Sequence, residues 1–170
     1  MNLADFDPLL ARYARKGLLL DSNLLLLLLV GRFAPKAIPE FKLIQNQGFT
    51  IREYELLRDI VSMFSKLVVT PHVLTEVSNQ CGFYKGRFRS ELIEGISDLV
   101  QIFFEEYLES KELVRRSEFA VFGLTDCAIT AVGRGKYLVL TKDSRLVGHL
   151  RKSGVDALNF THFRDFSGGI

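Results

Sequence analysis

The stretch Leu18 to Val30, LLLDSNLLLLLLV, holds a single acid, Asp21, inside an otherwise apolar run, with Ser22 and Asn23 directly behind it. An unpaired buried carboxylate is costly, so a charge in such a run needs a reason. A strand that ends at Asp21 keeps the acid wet. Leu18, Leu19 and Leu20 then form a buried parallel strand, and Asn23 or Ser22 caps a helix running through Leu24 to Val30. In open α/β sheets, ligands bind at the carboxyl edge where Asp21 would emerge. The fold therefore turns on whether other strands, and other acids, reach the same edge.

Three more strand-like runs follow. Leu67 to Val69 ends at Thr70–Pro71, an N-cap followed by proline at the first helical position, and the next helix carries Glu76 on its second turn. Tyr137 to Leu140 ends at Thr141–Lys142–Asp143, with a helix to about Lys152. Gly154 turns the chain into a strand from Val155 to Leu158. Between them lie helices. A leading one falls within Asn2 to Lys16, with Asp5 and Asp7 as solvated caps. Thr50 and Glu53 form a capping box for a helix from Ile51 to about Lys66. The period from Ser90 to about Ser110 is helical, with Leu92, Ile96, Leu99, Phe103 and Tyr107 on one face. Asp126 to Val132 forms a further helix with Thr125 as its cap, stopped by Gly133 and Gly135. Strands separated by helices predict an α/β fold, a three-layer α/β/α sandwich with a mainly parallel central sheet.

The chain of 170 residues suits one domain, residues 1–170. With 22 basic and 20 acidic residues, charge balance selects no partner class, and local placement has to decide. Two cysteines, Cys81 and Cys127, without a CxxC exclude a disulfide scaffold and a structural zinc site, and free thiols suit the cytoplasm. The leucine-rich run is too short to span a bilayer and contains Asp21, so no membrane partner is expected. The first ten residues carry acids where a secretory signal carries bases.

Asp21 and Asp143 each follow a strand, Glu76 lies in the helix after another, and Asp126 opens a helix, where a carboxylate suits the dipole. Each alone reads as a cap or a solvated side chain. Together, at the ends of parallel strands, they would converge. Four carboxylates at close range need a counter-charge. An oxygen-only ligand set points to Mg²⁺ or Mn²⁺ rather than zinc. Such a cluster activates water and stabilises charge on phosphoryl oxygen, which is the chemistry of phosphodiester hydrolysis.

LLLDSNLLL, VVTPHVLTEV, GLTDCAITAV and YLVLTKDSRL resemble, in order, the four motifs of the PIN-domain nucleases, which include the ribonuclease toxins of toxin–antitoxin pairs. The resemblance covers roughly Leu18 to Phe160. It implies a PIN-like fold, a divalent-metal site formed by Asp21, Glu76, Asp126 and Asp143, and cleavage of RNA. It further implies that Ser22, Asn23 and Thr141 support those acids by hydrogen bonds, and that an antitoxin protein and a second copy of the chain are partners. Against that family's pattern, residues 31–50 read as an insertion and residues 1–17 as an N-terminal extension.

Lys85, Arg87 and Arg89 interleave with Tyr84 and Phe88, a pattern able to hold a phosphate backbone and stack a base. Lys142 and Arg145, with Arg134 and Lys136, flank the last two motifs and could serve likewise, although surface cations usually only solvate. His72, His149 and His162 lack mutual ligand spacing. Cys127 reads as a small core residue. Two other function classes remain. One is a PIN-like scaffold that binds RNA or protein without cutting. The other is a haloacid-dehalogenase-like phosphatase, which needs a second Asp two residues after the first, where this chain has Asn23.

Overall fold

A computed structural model describes residues 7–168. Five strands form one sheet: β1 (Leu18–Leu20), β2 (Leu67–Val69), β3 (Phe104–Glu105), β4 (Leu138–Thr141) and β5 (Ala157–Asn159). Their order is β3-β2-β1-β4-β5, and every pairing is parallel. Leu18 lies opposite both Leu67 and Leu138, so β1 is the central strand. It is buried throughout, as a strand covered on both faces must be.

Strands β1, β2 and β4 each lead into a helix with a side-chain cap, from Asp21, Thr70 and Asp143. Helix α1 (Pro8–Tyr13) is capped by Asp7, which accepts from the Leu9 amide at 2.8 Å. Asp5 lies outside the described residues. Helix α2 (Ser22–Phe33) follows β1, α3 (Lys42–Asn46) and α4 (Ile51–Val61) precede β2, and α5 (Pro71–Phe83) follows it. Helix α6 (Arg89–Val100) precedes β3, while α7 (Ser110–Leu113) and α8 (Phe119–Gly133) lie between β3 and β4. Helix α9 (Ser144–Lys152) joins β4 to β5, and 3-10 turns over Phe160–Gly168 follow.

From β1 the chain steps to β2 and β3 on one side. From β4 it steps to β5 on the other. Right-handed crossovers therefore put α2 and α5 on one face of the sheet and α9 on the opposite face, giving three layers. Helix α2 is apolar all round and buried from Leu24 to Gly31, because α4, α5 and α6 pack over it. Two glycines permit that closeness. A Cβ on Gly31 would lie 2.0 Å from the Tyr54 ring, and one on Gly95 would lie 2.6 Å from Phe33. Among the described residues no helix is long and apolar enough to cross a membrane.

Several expected boundaries move. The helix expected from Ser90 to about Ser110 is α6 followed by β3, and the helix expected to reach Lys66 ends at Val61. The cap of α2 is Asp21 itself, not Ser22 or Asn23, since its side chain accepts from the Leu24 amide. Thr125 is not a cap either. Gly123, at φ 76° and ψ −177°, interrupts α8, and Thr125 already lies in the turn beyond the break. The thiol of Cys127 is buried in a small apolar cluster with Leu113 and Ala128, as a core residue should be. The segment 31–50 forms the end of α2, a 3-10 turn at Pro35–Ala37 and α3.

Candidate functional site

In this strand order the chain reverses direction between β1 and β4. The crevice beyond their carboxyl ends is where a doubly wound sheet binds its ligands. Asp21 leaves β1 there, and Thr141 is the last residue of β4. The two strands are joined at that edge by the Asp21 amide, which donates to the Leu140 carbonyl at 3.2 Å.

Asp21 is buried and held from both sides. One carboxylate oxygen accepts from the Leu24 amide at 2.9 Å and so caps α2. The other accepts from the Thr141 hydroxyl. Thr141 Oγ1 in turn accepts from the Asp143 amide at 3.0 Å. Asp143 is exposed, and its Oδ1 accepts from the amides of Arg145 at 2.7 Å and Leu146 at 3.0 Å, capping α9. Ser22 Oγ donates to Glu76 Oε2 at 2.7 Å, which ties α5 to the start of α2. Of Ser22, Asn23 and Thr141, two thus hydrogen-bond a carboxylate of the set: Ser22 bonds Glu76, and Thr141 bonds Asp21. Asn23 is partly buried, and no hydrogen bond of its side chain is found among the described residues.

Asp126 is the fourth acid. Gly123 sets the direction of the α8 segment that carries it. Burial pushes its carboxyl up to about 7, and the charges of Asp21, Asp143 and Glu76 push the same way. Burial likewise raises Asp21 to about 6. The bonds from Thr141, Leu24 and the Lys142 backbone work against that rise, and the charge of Glu76 adds to it. The charges of Asp21, Asp143 and Glu76, from three other segments, thus all reach Asp126, and that of Glu76 reaches Asp21. Among the described residues, none of the four has an ion-pair partner.

An uncompensated, all-oxygen donor set is chemically suited to a hard divalent cation. The spacing is looser than a finished ligand shell. Among the described residues no three Asp, Glu, His or Cys side chains stand close enough to hold a metal ion together. Asp21, Glu76 and Asp143 are held by hydrogen bonds to their side chains, whereas Asp126 has none among the described residues, so it is the carboxylate with most freedom to adjust.

The basic residues named from sequence divide into groups. Lys85, Arg87 and Arg89 lie beyond the end of α5, which runs away from the carboxyl edge. Phe83 is about 10 Å farther along the helix axis than Glu76. Arg87 pairs with Glu40 at 3.5 Å and covers the Phe88 ring. Lys142 donates to the Gln47 carbonyl and lies over the Phe49 ring, so its ammonium is engaged locally, and burial lowers its pKa. Arg145 lies over Phe122 at 5.1 Å, and His149 stacks on the same ring at 4.5 Å. Lys136 pairs with Glu106 at 3.7 Å, Arg134 is exposed, and so is His162.

One feature escaped the sequence. A cleft of about 490 Å³ opens beside Glu76, between α5, the segment from Tyr107 to Ser110, and the turn of α8 that precedes Asp126. The helical period places Tyr107 on the apolar face of one long helix, for core or partner, yet it lies outside any helix and is 73% exposed at this cleft. His72 lines the cleft as well, and its Nε2 is 3.1 Å from Ser110 Oγ. No family model matches the chain, and no curated protein or solved structure matches it.

Proposed function

We propose that the protein is a divalent-metal-dependent endoribonuclease. The observation that carries this reading is the convergence on Asp126, at the switch point of the sheet, of the charges of Asp21, Asp143 and Glu76, with no ion-pair partner for any of the four among the described residues. The four motifs around these acids, which resemble those of PIN-domain nucleases, supply the choice of RNA as substrate.

On this reading the four carboxylates hold one or two Mg²⁺ or Mn²⁺ ions. The metal, when bound, would lower the pKa of water and stabilise charge on the phosphoryl oxygens. The chain's own residues do the rest. Thr141 and the Leu24 amide orient Asp21, so one acid of the set has a fixed direction before any ligand arrives. Ser22 does the same for Glu76. Asp143 keeps one oxygen on the start of α9 and leaves the other for the site. Asp126, raised to about 7, gives up its proton near neutral pH.

A PIN-like scaffold that binds RNA without cutting is the second reading, favoured by the loose spacing of the acids. Cleavage of single-stranded RNA with Mg²⁺ or Mn²⁺ separates the two. The wild type should cut, and Asp21→Asn and Asp126→Asn should each cut about a thousandfold more slowly, a loss of several kcal/mol of transition-state stabilisation. Equal activity in all three proteins would remove the site from the chemistry, and inactivity of the wild type would favour the scaffold. An antitoxin, a homodimer and a cytoplasmic setting belong to the toxin form of the same proposal. A small neighbouring reading frame with a DNA-binding head would support it.

A further inference from the structure

The cleft beside Glu76 takes one acid of the set into its wall but differs from the acidic edge in character. His72, Thr75, Glu76 and Asn79 recur at spacings of three and four along α5, so one stripe of that helix forms one wall. Tyr107 and Leu108 contribute to the facing wall, and Leu124 and Thr125 close the end nearest Asp126. Among the described residues no lysine or arginine lines the cleft, and the carboxylate that does is that of Glu76. An anion would be repelled from it. A neutral, flat group with hydrogen-bonding edges would find an aromatic face and several neutral polar side chains.

We infer that this cleft is a subsite for one unpaired nucleobase of the RNA, stacked on Tyr107, with Asn79 and Thr75 available to its edge. The inference rests on the nuclease reading, since it takes the phosphate beside that base to lie at the acids. Tyr107 is the residue that matters most. Among the described residues its ring has no ring contact and its hydroxyl no hydrogen bond, and 73% exposure leaves its surface open to a base. Unpaired bases are commonly held by such stacking, because every base offers a π-face. A duplex presents no splayed base to the cleft, so the site selects single strands.

The test uses the full chain and a short labelled single-stranded RNA, with binding read by fluorescence anisotropy in Ca²⁺ and again in EDTA. Tyr107→Ala should bind about tenfold more weakly than wild type, and Tyr107→Phe should bind within about twofold of it. An abasic residue moved along the strand should find one position where the wild type loses a similar factor, and Tyr107→Ala should be indifferent to that change. Because Tyr107 is exposed, both variants should melt as the wild type does. Equal affinity of wild type and Tyr107→Ala, the outcome if the cleft instead takes a peptide, would overturn the subsite. So would an undiminished abasic effect in Tyr107→Ala, or a wild type that binds no RNA. The two proposals fail separately. Base-dependent binding through Tyr107 without cleavage sinks the nuclease and keeps the subsite, whereas cleavage that depends on the acids but ignores Tyr107 does the reverse.

Discussion

Asp126 carries the cost of the site in a single side chain. A carboxyl whose pKa rises on folding costs nothing below its unfolded value, because both states then hold the proton. The cost grows as the pH climbs from about 4 to about 7, where the folded protein must accept a charge that the unfolded chain keeps in water. Asp126 is only partly buried and, among the described residues, makes no side-chain hydrogen bond that an amide would lose, so solvent screening trims the penalty to about 2 kcal/mol. Asp126→Asn should therefore be more stable than wild type at pH 8 by about that amount, and no more stable at pH 4. Thermal melts of both proteins in EDTA at the two pH values would read this out. A variant that is less stable at pH 8 would mean that the carboxylate has a favourable partner. At this scale the sequence was informative about Asp21 and Asp143, because each follows a strand-like triplet and precedes a helix. Ser22 and Thr141 came only with the resemblance to the PIN-domain motifs. Nothing local announced that Ser22 would reach Glu76, 54 residues away.

Among the elements, α8 depends most on one residue. Gly123 has a backbone conformation, φ 76° and ψ −177°, that is essentially closed to residues with a side chain. The space around it is open, so the constraint lies in the backbone and not in a clash. Gly123→Ala should lower stability by about 1–3 kcal/mol and reduce cleavage more than it reduces RNA binding, because Asp126 lies three residues farther on. Chemical denaturation beside a cleavage assay would show both effects, and unchanged stability would mean that the break tolerates a side chain. Strands β1, β2 and β4 were legible because a short apolar run bounded by a cap has few alternatives. Strand β3 was not. Leu99, Phe103 and Tyr107 keep helical spacing, and no glycine or proline marks the end of α6, so periodicity runs straight through the break. The basic–aromatic run from Tyr84 to Arg89 was legible as a pattern. Its position needed the direction of α5, which carries it away from the acids.

At the scale of the molecule, the order β3-β2-β1-β4-β5 does the assembling. Placing β4 beside β1 unites Asp21 with Thr141 and Asp143, and the pairing of β2 with β1 brings α5 and Glu76 alongside. Alternating strands and helices made the parallel three-layer sheet readable. They left open how tightly the acids meet, because that depends on side-chain directions at the edge and on where α8 starts. The account stands on these carboxylates forming one cation site. Titration of Mn²⁺ into the metal-free protein by calorimetry tests it most directly. The account predicts saturable binding of one or two ions by the wild type, lost in both Asp21→Asn and Asp126→Asn. A wild type without saturable binding, or variants that bind as the wild type does, would contradict it.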